Sequence, residues 1–225
     1  MGCMQQDAHD AFVQLLSACT LVDQHMMEVM KLEPSPNISA LYTLPAGVIF
    51  GGVDVQSVSC CKCGRASHTH GKFNHLSLKM TNTVEESVTL SLKENMVLDE
   101  DTIGGCGGCH GRLTRTQKKN ITKWPQVLVL LVDRWAQQAS GQYVKDERRI
   151  SFPATLPKLF PNMQHAYSLT GVVEHLSWGH YVAYTLGSSG NWYTCDDSQT
   201  PVPIELEEVL KKQAYMLFYM RDVSP

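Results

Sequence analysis

Gly179-His180-Tyr181-Val182-Ala183-Tyr184 and Trp192-Tyr193-Thr194-Cys195-Asp196 are two β-prone stretches joined by a short polar segment. That segment contains Gly187-Ser188-Ser189-Gly190, a composition that predicts a hairpin turn. A hairpin would set Asp196 across from His180. A carboxylate in that position fixes the tautomer of an imidazole, and the other ring nitrogen can then act as a base. On spacing alone, however, such a pair is more often structural than catalytic.

Strand patterns continue around this hairpin. The β-prone runs are Tyr167–Glu174, Tyr181–Leu186, Asn191–Thr194 and Ala214–Met220. Residues 127–132 form a continuous apolar run after Pro125, which is typical of a strand buried on both faces. The sequence therefore predicts strands throughout the second half of the chain.

The first half mixes helical and strand patterns. Apolar residues recur at helical spacing from Gln5 to Leu32, which predicts one or two amphipathic helices. Strands are predicted from Val48 to Ser59 and, by the alternation that begins at Phe73, up to Met80. Residues 84–99 are predicted to form a short helical or mixed segment.

Four of the eight cysteines form two C-x-x-C pairs: Cys60, Cys63, Cys106 and Cys109. Each pair places two thiolates on one tight turn, and two such turns brought together supply the four sulfurs of a tetrahedral zinc site. We expect a structural Zn²⁺ there, with no open position for water. The alternative is a degenerate site with free thiols. Three nearby histidines are expected to be surface residues: His68, His70 and His110.

Composition narrows the class of protein. A net charge of −3 argues against general attraction to nucleic acid. No stretch approaches the roughly 18 consecutive apolar residues that cross a bilayer, so no membrane association is expected. Residues 1–10 lack the pattern of a secretory signal, which predicts a reducing compartment, the cytoplasm and/or the nucleus.

Four pieces of the second half, in order, resemble the histidine box and C-terminal strands of ubiquitin-specific proteases. They are Tyr167–His175, Gly179–Tyr181, Trp192–Asp197 and Ala214–Arg221. Earlier pieces extend the resemblance from Met4 to Arg221. Met4–Phe12 resembles the family's Gln-Gln-Asp helix, Phe50-Gly51-Gly52 with Leu76-Ser77-Leu78 its zinc-bearing fingers, and Trp124–Leu128 with Arg134-Trp135 its central palm strand.

The resemblance implies a particular fold. It is an α+β fold of the papain-like cysteine protease superfamily, with the thumb, palm and fingers of the ubiquitin-specific proteases. Residues 1–45 would form a partial thumb, residues 46–124 the zinc-bearing fingers, and residues 125–225 the palm with the histidine box.

The resemblance also implies an activity and a partner. The family hydrolyses, with a thiol, the (iso)peptide bond after the C-terminal glycine of ubiquitin, so the expected partner is ubiquitin or a ubiquitinated protein. His180 would be the base and Asp196 its orienting partner, with Asp197 a weaker candidate for polar support. Asp7 and Asp10 would face ubiquitin's basic tail, although Asp7 could instead cap a helix and Asp10 could be a solvated charge.

The nucleophile of the family is not evident in this sequence. It belongs to a Gly-Asn-Thr-Cys type of box, and Cys3 lies in a Met-Gly-Cys-Met context without that asparagine. Cys19 fits an apolar helix face, and Cys195 fits a strand. We therefore expect this chain alone to be inactive. Three interpretations remain: a truncated deubiquitinating protease, a non-catalytic ubiquitin-binding scaffold, or a zinc-stapled interaction domain unrelated to ubiquitin.

Overall fold

The fold is taken from a computed structural model of the chain. It describes residues 7–29, 45–60, 62–93, 96–98, 106, 108–109, 115–137, 141–158, 160–176 and 179–222. Cys3 and His110, discussed above, lie outside these ranges, as do the first residues of the Gln-Gln-Asp segment. None of the helices within these ranges has the length and apolar content required to cross a bilayer.

Four helices and fourteen strands are found in the described ranges. The helices are α1 (Ala8–Val29), α2 (Pro45–Phe50), α3 (Val84–Lys93) and α4 (Leu206–Val209). The first strands are β1 (Gly52–Cys60), β2 (Ala66–Phe73), β3 (Leu76–Lys79), β4 (Met96–Leu98), β5 (Arg115–Lys123), β6 (Val127–Asp133) and β7 (Trp135–Gln137). The others are β8 (Tyr143–Lys145), β9 (Thr155–Leu156), β10 (Tyr167–His175), β11 (Tyr181–Leu186), β12 (Trp192–Cys195), β13 (Val202–Ile204) and β14 (Ala214–Arg221).

The strands form a large sheet, a small sheet and a separate hairpin. The large sheet has the order β13-β12-β11-β10-β14-β6-β3, and β9 also pairs with β10. Its pairings are antiparallel except that of β3 with β6. The small sheet has the order β2-β1-β5-β4, and β7 pairs with β8. The architecture is therefore α+β, as predicted.

Strand β6, which lies between β14 and the edge strand β3, is in the core because its apolar run supplies both faces of the large sheet. Leu128, Leu130 and Val132 belong to the main core, whereas Val129 belongs to a second cluster on the opposite face. All four side chains are fully buried. Burying such a side chain contributes about 1.5–3 kcal/mol, so β6 anchors both layers.

The second cluster holds α1 against the large sheet. Phe12 of α1 makes edge-on ring contacts with Phe50 of α2 and with Phe218 of β14, at centroid distances of 5.7 and 5.9 Å. Such aromatic pairs add about 0.5–1.5 kcal/mol to the area they bury. This packing brings the N-terminal end of α1 beside β11 and β14.

The opposite face of α1 is apolar and exposed. Leu15, Val22 and Met26 have 68%, 63% and 50% of their surface accessible, and Cys19 between them is also exposed. The helix itself is as the periodicity predicted. Several of its apolar positions are nevertheless not covered by any residue in the ranges that the structure describes.

Most of the predicted strands are confirmed, and the errors fall in the first half of the chain. The predicted strand at Val48–Ser59 was wrong at its start, because residues 45–50 form α2 and β1 begins at Gly52. Pro45 occupies the first helical position, which suits its fixed φ. The alternation from Phe73 to Met80 belongs partly to the end of β2 and partly to β3, with a turn between them.

Candidate active site and metal centre

The hairpin of β11 and β12 brings His180 and Asp196 together. Ala183 pairs with Cys195 and Leu186 with Trp192, so the predicted hairpin is confirmed, although this register sets Asp196 level with Val182 and not directly across from His180. At the open end of the hairpin, Nε2 of His180 lies 2.7 Å from Oδ1 of Asp196. Both side chains are partly exposed, at 38% and 33%. The pair therefore lies at the protein surface and not in the core.

The pairing selects one ring nitrogen. Because Nε2–H donates to the carboxylate, a neutral His180 has its lone pair on Nδ1. Oδ2 of Asp197 lies 3.9 Å from Nδ1, which is beyond hydrogen-bond distance. Gly179, at φ 74°, supplies the left-handed backbone that leads into His180. The arrangement fixes the orientation of the imidazole ring and leaves its Nδ1 available to act as a base.

Asp7 links α1 to the large sheet next to this base. Its Oδ1 accepts the backbone N–H of His9 at 2.7 Å, so Asp7 does cap α1. The hydroxyl of Tyr215 also donates to this carboxylate, at 2.8 and 2.9 Å from its two oxygens, and that of Tyr181 donates to Oδ2 at 3.3 Å. Burial, followed by the charge of Asp7, raises the pKa of Tyr181 to about 12.

Asp10 has different surroundings. It lies in the first turn of α1 and is exposed. An acid in the first turn is favoured by the helix dipole, which accounts for the residue type without a ligand. The geometry therefore leaves Asp10 accessible to a partner, while the Asp7 carboxylate is engaged within the chain.

A buried histidine next to the site was not singled out from the sequence. His175 is only 7% exposed, and its ring centroid lies 4.7 Å from that of Tyr181 and 6.2 Å from that of Tyr215. Burial, then the charge of Lys145, lowers the pKa of His175. Its Nε2 has no hydrogen-bond partner among the described residues. We interpret it as a neutral packing residue behind Tyr181.

Arg134 is a second buried residue that holds this region together, and from the sequence it was noted only as part of the Arg134-Trp135 motif. This buried guanidinium donates from Nε to the carbonyl of Ala214 at 2.9 Å, and from Nη1 to the carbonyls of Asp146 and Arg148 at 2.9 and 2.8 Å. It thereby ties the segment after β8 to the start of β14. The position of a charged residue directly after an apolar strand could have pointed to a structural role for Arg134. Its hydrogen-bond acceptors could not be predicted, because they are distant in sequence.

The four cysteines of the two C-x-x-C pairs converge at the end of the small sheet. The Sγ atoms of Cys60 and Cys109 are 3.9 Å apart, and those of Cys63 and Cys106 are 3.6 Å apart. Pairing of β1 with β5 sets Cys60 opposite Arg115. The chain between the two C-x-x-C pairs thus folds back on itself, which explains how pairs that are distant in sequence lie together.

These distances fit a metal. A tetrahedral zinc with Zn–S bonds of about 2.3 Å requires sulfurs about 3.8 Å apart. Backbone N–H groups of Cys63 and Gly108 point at the Sγ atoms of Cys60 and Cys106, at 3.5 and 3.4 Å. The contact from Gly108, with that from Cys109, lowers the pKa of Cys106 to about 6. Cys106 is therefore suited to bind a metal as a thiolate.

The other described cysteines do not face His180. Cys19 lies twelve residues after Asp7, about 18 Å along the helix axis. Cys195 is the last residue of β12 and Asp196 follows it directly, so the alternation at the end of the strand directs the two side chains to opposite faces. A thiol next to Nδ1 is thus not present among the described residues.

The two sheets, the cysteine cluster and the paired His180 and Asp196 define an α+β fold of the papain-like cysteine protease superfamily, of the ubiquitin-specific protease type. Residues 1–219 match the family model described as ubiquitin carboxyl-terminal hydrolase, and the chain belongs to this family.

Relatives and solved structures agree with this assignment. The chain is 29% identical to ubiquitin carboxyl-terminal hydrolase 25 of Arabidopsis thaliana, over 96% of the chain and 33% of that protein. It is 30% identical to probable ubiquitin carboxyl-terminal hydrolase 8 of Schizosaccharomyces pombe, over 97% of the chain and 46% of that protein. The chain thus spans less than half the length of these relatives.

Among solved structures, similar chains occur in the SAGA DUB module Ubp8/Sgf11/Sus1/Sgf73. In the module bound to monoubiquitin, the TM-score is 0.78 with 29% identity, over 98% of this chain and 49% of that one. In the module bound to ubiquitin aldehyde, the TM-score is 0.76 with 28% identity, over 98% of this chain and 50% of that one.

Proposed function

We propose that this chain supplies the His/Asp part of a thiol-dependent deubiquitinase, which hydrolyses (iso)peptide bonds after the C-terminal glycine of ubiquitin. The observation that carries the proposal is the 2.7 Å contact between Nε2 of His180 and Asp196, which leaves Nδ1 free. In this family context, the free nitrogen is the base and Asp196 orients it.

The geometry determines which atoms move the proton. His180 Nδ1 takes the proton of a thiol, and the thiolate attacks the carbonyl carbon of ubiquitin's terminal glycine. Nδ1–H then protonates the leaving amine as the acyl bond to sulfur forms. In the second half, Nδ1 takes a proton from water, whose oxygen attacks the acyl carbon. The C–S bond then breaks, ubiquitin leaves with a free C-terminal carboxyl group, and Nδ1–H returns the proton to the sulfur. Asp196 stabilises the imidazolium in both halves through Nε2–H.

We assign ubiquitin's basic tail to the N-terminal end of α1. Asp10 is exposed there, and Asp7 contacts Tyr181, the residue after the base. The two similar SAGA modules are bound to ubiquitin or ubiquitin aldehyde, which supports ubiquitin or a ubiquitinated protein as partner. Because Asp7 is already engaged by two tyrosines, Asp10 is the more accessible of the two acids.

The cysteine cluster is proposed to hold a structural Zn²⁺ through Cys60, Cys63, Cys106 and Cys109. Bound there, zinc would cross-link the two knuckles and stabilise the small sheet, and four thiolates leave no position for a reacting water. In the same scheme, residues 1–45 are a partial thumb, 46–124 the fingers and 125–225 the palm. A nuclear and/or cytoplasmic location follows for a thiol-rich protein of this family.

A second candidate function is a ubiquitin-binding scaffold without catalysis. It is favoured by one observation, that neither Cys19 nor Cys195 faces His180. Both candidates predict that the 225-residue chain binds ubiquitin weakly and does not react with a thiol-directed ubiquitin probe. Robust labelling mapped to Cys3, Cys19 or Cys195 would overturn the proposed site. Labelling of the longest polypeptide encoded by the gene separates enzyme from scaffold.

A further inference from the structure

A second group of metal-type ligands lies at the hairpin, apart from the cysteine cluster. His180, Asp196 and Asp197 each offer a ligand atom within 4.8 Å of the others. The first two form the pair described above. Asp197 is 76% exposed and takes no part in the proton transfers, so its carboxylate needs a separate account.

The distance between His180 and Asp197 is informative. Nδ1 and Oδ2 are 3.9 Å apart. This is too long for a hydrogen bond, although it lies within the range of an ion pair when the imidazole is protonated. A zinc ion bound to nitrogen and oxygen at about 2.1 Å spans it at an angle near 135°. A tetrahedral angle would require Asp197 to move by only about 0.5 Å, which its exposure allows.

The remaining contacts prepare Nδ1 as a ligand. Metal-bound histidines usually donate their other N–H to a carboxylate, which fixes the tautomer and raises the basicity of the ligating nitrogen. Asp196 makes that contact with Nε2 at 2.7 Å. A neutral imidazole with a carboxylate suits a late first-row cation better than Mg²⁺ or Ca²⁺, which prefer oxygen ligands only.

We propose that Nδ1 of His180 and a carboxylate oxygen of Asp197 chelate a divalent cation, Zn²⁺ in particular, with Asp196 as the orienting carboxylate and water at the other positions. Such an ion occupies the lone pair that would accept a proton. It would therefore act as a reversible inhibitor of any chemistry at His180. Binding itself requires no thiol, so it can be measured directly on this chain.

The test is a titration of the 225-residue chain with ZnCl₂ after the cysteine cluster has been loaded with one equivalent. Histidine side-chain NMR reports on each ring nitrogen, and a His180→Gln variant assigns the His180 signals. We expect a saturable shift at Nδ1 of His180 that EDTA reverses. Other exposed histidines that bind zinc are distinguished by their own signals.

Two variants make the chelate falsifiable. Asp197→Asn should weaken zinc binding at His180 by about 10-fold or more, and Asp196→Asn by about 10- to 100-fold. Asp197 has φ 47°, a left-handed conformation that asparagine adopts readily, so the first variant should fold. The matched control is Glu86→Gln in α3, which contacts β3 at the far edge of the large sheet from β12.

The outcomes divide clearly. Weakening of zinc binding by both Asp variants, and none by Glu86→Gln, supports the site. A shift at His180 whose affinity is unchanged in Asp197→Asn shows binding by histidine alone and overturns the chelate. Absence of any change at Nδ1, while the cysteine cluster remains loaded, overturns the proposal entirely.

Discussion

The hydroxyl of Tyr215 lies 2.8 and 2.9 Å from the two carboxylate oxygens of Asp7, which is 208 positions earlier in the sequence. This contact joins the first residue before α1 to the start of β14. Because Tyr181 follows the proposed base and donates to the same carboxylate, the orientation of α1 is coupled to the position of His180.

Removing this junction should destabilise the fold. We expect Asp7→Ala to lower the free energy of unfolding by about 2–3 kcal/mol, through loss of the helix cap and of two tyrosine contacts. Tyr215→Phe should cost about 1 kcal/mol, with a coupling of similar size in the double mutant. Urea unfolding measures these values. Exposed Asp10→Ala is the control, expected within about 0.5 kcal/mol of wild type.

Replacing one zinc ligand should destabilise the small sheet more than the large sheet. We expect one zinc per chain, with an apparent contribution on the order of 10 kcal/mol as in small zinc domains. Cys60→Ser should increase hydrogen exchange in β1, β2 and β5 more than in β6, β10 and β14. Cys19→Ser, at an exposed position, should change neither. A folded, reduced preparation without zinc by elemental analysis would contradict the assignment.

The His/Asp pair should be needed for turnover in any polypeptide that supplies the thiol. There, His180→Ala should abolish hydrolysis of a ubiquitin C-terminal amide, because no base remains. Asp196→Ala should lower kcat/KM by about 10²- to 10⁴-fold through loss of imidazole orientation. Activity retained in His180→Ala would show that another group is the base.

Asp10 should contribute to ubiquitin affinity through its charge. We expect Asp10→Asn to weaken binding about 2- to 5-fold, as is typical of an exposed ion pair. Raising the salt concentration should reduce the difference between variant and wild type, because exposed charges are screened. Titration calorimetry or NMR measures the affinity. Glu86→Gln removes an equal charge in α3 and should leave binding unaltered.

His175 should make stability depend on pH. Its pKa in the folded chain is lowered from 6.5, chiefly by burial, so the folded state disfavours the charged form. The contribution of neutral His175 to the free energy of unfolding is fully present above the pKa of the unfolded chain, about 6.5. It is lost as the pH falls towards the lower pKa of the folded chain. His175→Phe should reduce this loss. Unfolding free energies of both proteins between pH 8 and 5 give the difference, and parallel curves would refute the prediction.

The sequence alone was sufficient for the strands that carry the site. Residues of β6, β10, β11, β12 and β14 have the apolar, aromatic and β-branched composition that local pattern detects. The turn between β11 and β12 was also predictable from its composition, so the approach of Asp196 to His180 could be predicted even though the exact register could not. The two C-x-x-C pairs likewise identified the four cysteines before their convergence was visible.

Other features depended on the tertiary structure. The polar β2 is a strand because it pairs with β1 along its length, and local composition does not encode that partner. The sequence suggested that the carboxylate of Asp7 could cap a helix. Its hydrogen bond from the Tyr215 hydroxyl forms only when α1 packs on the large sheet. Sequence pattern thus determined the local elements and the residue types of the site. Folding decided which distant groups form a hydrogen bond or an ion pair, and which possible metal ligands lie together, because such contacts depend on three-dimensional distance.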